Sequence, residues 1–404
     1  MQLNIHLPQT QVGYIITLGL LAALGPLCTD LYLAALPDIA IHLKTNTSMT
    51  QLSLTASLLG LGIGQLIIGP ASDKLGRKIP LQLSLLLMVF TSIGCGLVQS
   101  IDQLIIIRFI QGIAGAGGIV LSRAIARDLY TASALTRFFS LLMAVNGIAP
   151  ILAPVLGSSL LLITTWRGIF FILAVITIIL FLLSQFQIIE TLPPEQRAHG
   201  RFWNALPVMG QLLTHKKFMA PCLAQGFSIA GMFAYIGAAS FVLQNMYHLS
   251  AQAFSYCFAI NGIGLILSAQ LSSYLSRKSS ESHILITALG IGLIGATLLV
   301  ICALSGASLW WVLPILFVTI MINSAVGTMS ATLSMQSIPP QEGGSASALL
   351  GLLMFGFGAI SAPMTGIGHN AFIAMAITIW ICYFSALLNY RLIDQGSSSI
   401  KKPA

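Results

Sequence analysis

Gly69-Pro70-Ala71-Ser72-Asp73-Lys74-Leu75-Gly76-Arg77-Lys78 is a short polar interruption between two apolar runs, approximately 48–69 and 79–98. Each run is close to the roughly 20 residues that a helix needs to cross the hydrocarbon core of a bilayer. So short a gap turns the chain straight back into the membrane. Sliding the sequence by 200 positions returns part of the same text: Gly62-Ile63-Gly64 falls on Gly262-Ile263-Gly264, Ser72 on Ser272, Leu75 on Leu275 and Arg77-Lys78 on Arg277-Lys278. Near a shift of 209, Ala153-Pro154 and Gly157 fall on Ala362-Pro363 and Gly366. Two matches, at the second and fifth helices of each half, favour an internal duplication over chance apolar matching.

Outward from that hairpin the pattern persists. Hydrophobic residues make up 56% of the 404 and charged residues only 7%, against roughly 25% charged in a soluble domain. Twelve spans follow, at approximately 12–36, 48–69, 79–98, 103–125, 138–163, 168–189, 218–243, 253–275, 283–304, 309–335, 344–366 and 370–391. The expected fold is an all-α membrane protein of two six-helix bundles, residues 1–190 and 218–404, joined by a cytoplasmic linker at 191–217. That linker is the longest polar stretch and carries Pro193, Pro194, Glu195, Arg197, Arg201, Lys216 and Lys217. No soluble domain is expected at either end.

A net charge of +8 raises the question of nucleic acid, but the basic residues occupy alternate gaps and do not form one face of a soluble module. Of the 18 Lys and Arg, all but Lys44, Arg167 and Arg108 gather on one side. The positive-inside rule then puts both termini in the cytoplasm. The first twelve residues hold no Lys or Arg, so the first apolar run is expected to be a retained helix and not a signal peptide. Six scattered cysteines with no CxxC read as small packing residues. Trp166-Arg167 reads as an interfacial anchor.

The Gly69–Lys78 text resembles the G-x-x-x-D-[RK]-x-G-[RK]-[RK] signature of the major facilitator superfamily. Arg108-Phe109-Ile110-Gln111-Gly112 looks like that superfamily's fourth-helix motif. Gly147 through Ala153-Pro154-Val155-Leu156-Gly157 looks like the fifth-helix motif of its antiporters, with Ala149-Pro150 and Ala153-Pro154 in place of the usual central Gly-Pro. More narrowly, Thr29-Asp30-Leu31-Tyr32-Leu33-Ala34-Ala35-Leu36-Pro37 is similar to the first-helix text of the Bcr/CflA-like multidrug resistance subfamily of drug:proton antiporters, with Ala34 at its first Pro. Glu190-Thr191-Leu192-Pro193 and Gly344-Ser345-Ala346-Ser347-Ala348-Leu349 resemble that subfamily as well.

Asp30 and Arg108 are the ionisable residues clearly within spans, where a charge at helix centre costs about 2.5–3.5 kcal/mol on insertion scales. At 1.5 Å per residue, Asp30 lies about 10 Å below Pro37 and Arg108 about 9 Å below Asp102, the same depth. They read either as an ion pair locking helix one to helix four or as the proton-coupling pair. In the second reading Asp30 alternately holds a proton and faces substrate. The resemblance implies a gating latch of Asp73, Arg77 and Asp128 with Gly69 and Gly76. In it, Asp73 sits at the N-terminus of helix eleven near Gly343-Gly344-Ser345, a carboxylate at the positive end of a helix dipole. Gly147, Pro150, Pro154 and Gly157 permit kinks and close approach in helix five, and the resemblance implies a hinge used in export. Candidates for a substrate cavity are Tyr32, Asn146, Phe227, Phe233, Tyr235, Phe355 and Phe357, with Gln244, Asn261 and Asn323 as further polar groups.

The expected function is proton-coupled export, by alternating access, of amphiphilic drugs such as bicyclomycin- or chloramphenicol-type compounds from the bacterial inner membrane. The expected partners are that small molecule, protons and the lipid bilayer, with no nucleic acid, for a protein acting as a monomer. No cofactor or metal is expected; the proton gradient would supply the energy. Export of an endogenous metabolite such as a siderophore, or nutrient uptake by symport, remains open on the residues alone. A membrane-embedded enzyme or sensor is disfavoured: the chain has no HExxH, no GxSxG and no metal-spaced His or Cys cluster.

Overall fold

A bilayer offers backbone N–H and C=O groups no water, so a chain this apolar must satisfy them within helices. The computed structural model describes residues 11–129, 148–149, 151–197, 205–339, 343–367 and 370–398. Its helices are α1 (Gln11–Asp30), α2 (Leu36–His42), α3 (Thr47–Leu75), α4 (Lys78–Leu97), α5 (Ile101–Leu129), α6 (Ile151–Leu160), α7 (Trp166–Gln187), α8 (Ala205–Thr214), α9 (Lys216–Ser240), α10 (Ala251–Leu275), α11 (Glu281–Ser305), α12 (Leu309–Gln336), α13 (Gly343–Met364) and α14 (Ala371–Ser398). Among the described residues ten helical spans are long and apolar enough to cross a membrane, α1 and α2 counting as one. Shorter apolar helices, Ile151–Leu160 and Leu349–Met364, stand where the fifth and eleventh spans are expected. The twelve expected segments are thus all represented by helix.

The first span is broken. Between α1 and α2 the chain makes a turn and a 3₁₀ segment, Leu33–Ala35, just ahead of Pro37. Proline has no N–H to return to the carbonyl four residues back, and its ring crowds that carbonyl. That accounts for the 3₁₀ segment at Leu33; α1 itself ends earlier, at Asp30, and its last carbonyls are left without helical donors.

Two compact units emerge. One is Met1–Tyr32 with Gly60–Gly200, the other Leu33–Leu59 with Arg201–Ala404. Leu33–Leu59 thus groups with the second half, although its place in the chain puts it in the first bundle. Hydrogen bonds account for this: Gln51 Nε2 donates to the Gly237 carbonyl at 3.0 Å, Gln244 Nε2 to that of Ala34 at 3.1 Å, and Ser48 Oγ to that of Pro363 at 3.2 Å. In the first unit Leu18, Leu21, Leu81, Leu85, Leu121 and Leu180 share a buried core drawn from α1, α4, α5 and α7. Trp166, expected at the interface, is buried there against Phe170, while Arg167 donates to the Val98 carbonyl at 2.9 Å.

In the second unit part of the expected linker is helical. Leu212 of α8 is buried with Phe218, Cys222, Ala346, Leu349 and Leu350. Ser250 and Ser280 cap α10 and α11 by accepting the N–H groups of Ala253 and His283.

The repeat seen in the sequence has a structural counterpart. A Cβ on Gly64 would lie 2.7 Å from both the Ile113 carbonyl oxygen and Ala116 Cβ, so α3 and α5 touch there. One on Gly264 would lie 2.7 Å from the Phe317 ring and 2.9 Å from Met321 Cβ, so α10 meets α12 likewise. Small residues at such crossings let helices approach where no hydrophobic drive separates protein from lipid. Gly64→Val should destabilise the first unit by about 1–3 kcal/mol. It should lower the unfolding midpoint of the detergent-purified protein, whereas Gly115→Ala, with nothing within 4 Å of its Cβ, should leave that midpoint unchanged.

Candidate functional site

Three groups of expected site residues are positioned by this scaffold, two in the first unit and one in the second. The first surrounds Arg108, which is wholly buried. Its Nη1 donates to the Cys28 carbonyl at 2.9 Å and to Gln111 Oε1 at 2.7 Å, and lies 3.3 Å from Cys28 Sγ. The guanidinium carbon sits 4.3 Å from the centroid of the Tyr32 ring and 5.8 Å from that of Phe170. Gln111 in turn donates to Ser92 Oγ at 2.8 Å. Arg108 is thus a cation at the C-terminal end of α1, where the helix dipole favours one, and its neighbours come from α1, α4, α5 and α7.

Asp30 ends α1 and is also buried. The two charges do not pair: no Asp30 oxygen lies within 4.0 Å of an Arg108 nitrogen, and the ion pairs among the described residues are both made by Arg77. The Cys28 carbonyl, near the end of α1, accepts from Nη1, while Nε and Nη2 of Arg108 stay buried without an acceptor. Gly157 of α6 also serves this corner, because any side chain there would strike the Leu31 carbonyl. Pro154 lies one turn earlier in the same helix; Asn146, Gly147 and Pro150 lie outside the described residues.

The second group lies at the polar end of α3. Arg77, 3% exposed in its side chain, donates through Nη1 to Asp73 Oδ1 at 2.6 Å and through Nε to Asp128 Oδ2 at 2.8 Å. Ser72 Oγ accepts a further bond from Nη1 at 2.8 Å. Burial pushes the guanidinium's pKa down, but Asp128 and Asp73 outweigh it and hold the group above its ordinary value. Glu190, for which no role was read in the sequence, completes the network. Its carboxylate accepts the backbone N–H groups of Arg77 at 2.8 Å, Lys78 at 3.2 Å and Leu192 at 3.0 Å, capping the start of α4. Thr191 donates to Asp128 at 3.1 Å. Gly76 makes the turn possible, with φ at +90°, and a Cβ there would strike the Glu190 carboxylate. A cavity of about 390 Å³ opens alongside, between Gly69, Asp73, Arg77, Arg123 and Arg127.

The third group is the aromatic wall of the second unit. Phe227 lies 4.7 Å from Phe357 and Phe233 lies 6.4 Å from Phe355, all four partly exposed. Tyr235 differs: it is buried, stacked 5.6 Å from Phe258, and its hydroxyl accepts from Asn261 Nδ2 at 2.8 Å. Asn323 Nδ2 donates to Ser228 Oγ and to its carbonyl, at 2.8 and 2.6 Å.

A conserved-sequence model described as Major Facilitator Superfamily matches residues 18–363. The chain belongs to the major facilitator superfamily. Among relatives, an uncharacterized MFS-type transporter, YdgK of Bacillus subtilis strain 168, is 38% identical over 366 residues, covering 90% of this chain and 91% of its own. The bicyclomycin resistance protein homolog of Haemophilus influenzae is 28% identical over 381 residues, 94% of this chain and 96% of that one. Multidrug resistance protein MdtL of Salmonella paratyphi C is 26% identical over 249 residues, covering 61% and 62%. Two solved structures share the superfamily fold at low identity. A bacterial homolog of the human lysosomal transporter Spinster gives a TM-score of 0.76 at 16% identity, covering 96% of this chain and 98% of that one. A D-xylose-proton symporter gives 0.69 at 17%, covering 94% and 97%. These proteins are membrane transporters, not enzymes, and the superfamily member described here is a multi-pass protein of the bacterial inner membrane.

Glu190 is the signature loop's unread partner. Glu190→Ala strands the Arg77 and Lys78 N–H groups and should cost about 1–2 kcal/mol. It should lower the unfolding midpoint, while Glu195→Ala, at an exposed site, should not.

Proposed function

We propose that this transporter is a proton-coupled exporter of amphiphilic drugs, of the bicyclomycin or chloramphenicol type, working by alternating access. One observation carries the reading: Asp30 is a buried acid with no basic partner within 4.0 Å, beside an arginine already engaged by a helix end. An acid so placed has a use for a proton that a locked ion pair would lack. Relatives named for bicyclomycin and multidrug resistance support the cargo class.

In this cycle a proton entering from outside neutralises Asp30 and favours the inward-facing return. Cargo binding from inside favours release of that proton. The deprotonated carboxylate then turns towards the spare Nε and Nη2 donors of Arg108. Asp73, Arg77 and Asp128, with Gly69, Gly76 and Glu190, act as the gating latch of this cycle. Pro154 and Gly157 belong to the hinge in this cycle, and Gly157 stands against the Leu31 carbonyl next to Asp30; Gly147 and Pro150 are assigned to the same hinge from the sequence alone. The energy source is the proton gradient, with no cofactor, and the working unit is the monomer with both termini cytoplasmic.

A susceptibility panel including bicyclomycin and chloramphenicol, in a pump-deficient host, tests the reading. Wild type should raise resistance to at least one compound, Asp30→Asn should fall to the level of the empty host, and Asp30→Glu should recover part of the protection. An Asp30→Asn protein that still exports against a gradient, with proton-coupled transport intact, would refute it.

A further inference from the structure

Gln225, on α9, sits among groups that cannot satisfy it. The residue is 7% exposed; its Oε1 is buried with no donor, and its Nε2 reaches only Met354 Sδ at 3.3 Å. A thioether is a weak acceptor, so turning the amide over only exchanges which end lacks a proper partner. Side-chain amides that merely hold helices together behave otherwise. In the same unit Asn323 bonds Ser228 and Asn261 bonds Tyr235.

Room and aromatic surface lie next to this amide. A Cβ on Gly327 of α12 would meet only Gln225 Nε2, at 3.9 Å, among the described residues. Position 351 of α13, also glycine and one turn before Met354, would meet nothing within 4 Å among the described residues. Gly226 admits the Phe357 ring to within 2.8 Å of where its Cβ would stand, which brings the partly exposed Phe227–Phe357 pair beside the amide. A buried polar group without its partner, set in an apolar and aromatic wall with open space, is how a binding pocket fixes orientation.

We propose that Gln225 is the hydrogen-bonding anchor of the second half's substrate wall. It takes an N–H or O–H donor of a flat aromatic amphiphile whose body packs on Phe227, Phe357 and Met354. The inference rests on the export reading only in treating the ligand as cargo. It narrows that cargo to aromatic compounds that carry a hydrogen-bond donor, and it makes Gln225 the residue that tells them from donor-free ones.

Two probes separate the effect in purified, full-length protein. Ethidium carries aryl amine N–H donors, whereas tetraphenylphosphonium has the same charge and aromatic bulk but no N–H or O–H. Gln225→Met should weaken ethidium binding, followed by fluorescence, by about 5- to 10-fold. Tetraphenylphosphonium binding, measured by equilibrium dialysis, should stay within about two-fold, which also shows that the variant is folded. Gln225→Glu, which keeps an acceptor oxygen, should hold ethidium at least as well as wild type. Equal loss of both probes, unchanged ethidium binding in Gln225→Met, or a wild type that binds neither probe would overturn the proposal. Binding needs no proton movement, so a failure of Asp30-dependent coupling leaves this result readable.

Discussion

A guanidinium buried in a bilayer-spanning bundle has to be compensated, and the way Arg108 is compensated organises the first unit. A charge at this depth costs about 2.5–3.5 kcal/mol on insertion scales before partners are counted. Here the partners are a backbone carbonyl at the end of α1, the Gln111 side chain and the face of Tyr32. The carbonyl is available because α1 ends at Asp30. Gln111 extends the contact to Ser92 on α4, and Phe170 brings in α7. A single cation thereby sets the positions of four helices around Asp30 without consuming the carboxylate.

The polar end of the same unit shows a related economy of charge. Arg77 is shared between Asp73 and Asp128, and Glu190 fixes the backbone of the turn that presents it. Asp73 is the exposed member, at 46%, against 12% for Asp128. The exposed carboxylate is the one free to take a second partner. Arg77 and Asp128, the less exposed groups, are better suited to holding the loop's shape.

The span pattern was readable because crossing a bilayer demands about twenty apolar residues and the chain has few charges to blur the edges. The break after Asp30 was less so: the next proline, Pro37, stands in the first turn of α2, where proline is ordinary. The bond that Arg108 makes to the Cys28 carbonyl was not legible, because a backbone group is marked by no side chain. Gln111, three residues after Arg108 and so on the same helical face, was open to reading. Glu190 was quoted as family text, but its partners lie 112 and 113 residues away in sequence, and no local periodicity links such positions. Gly64 and Gly264 were legible through the repeat, and both mark helix crossings. Gln225 carried no signal at all, since its interest lies in what its neighbours fail to offer.

The central claim is that Asp30, buried and without a salt-bridge partner, exchanges a proton for cargo. Proton release from purified protein in weakly buffered detergent, followed with a pH-indicator dye as ethidium is added, tests it most directly. Wild type should release protons on ethidium addition, and Asp30→Asn should bind the dye and release none. Equal release from both proteins would contradict the account.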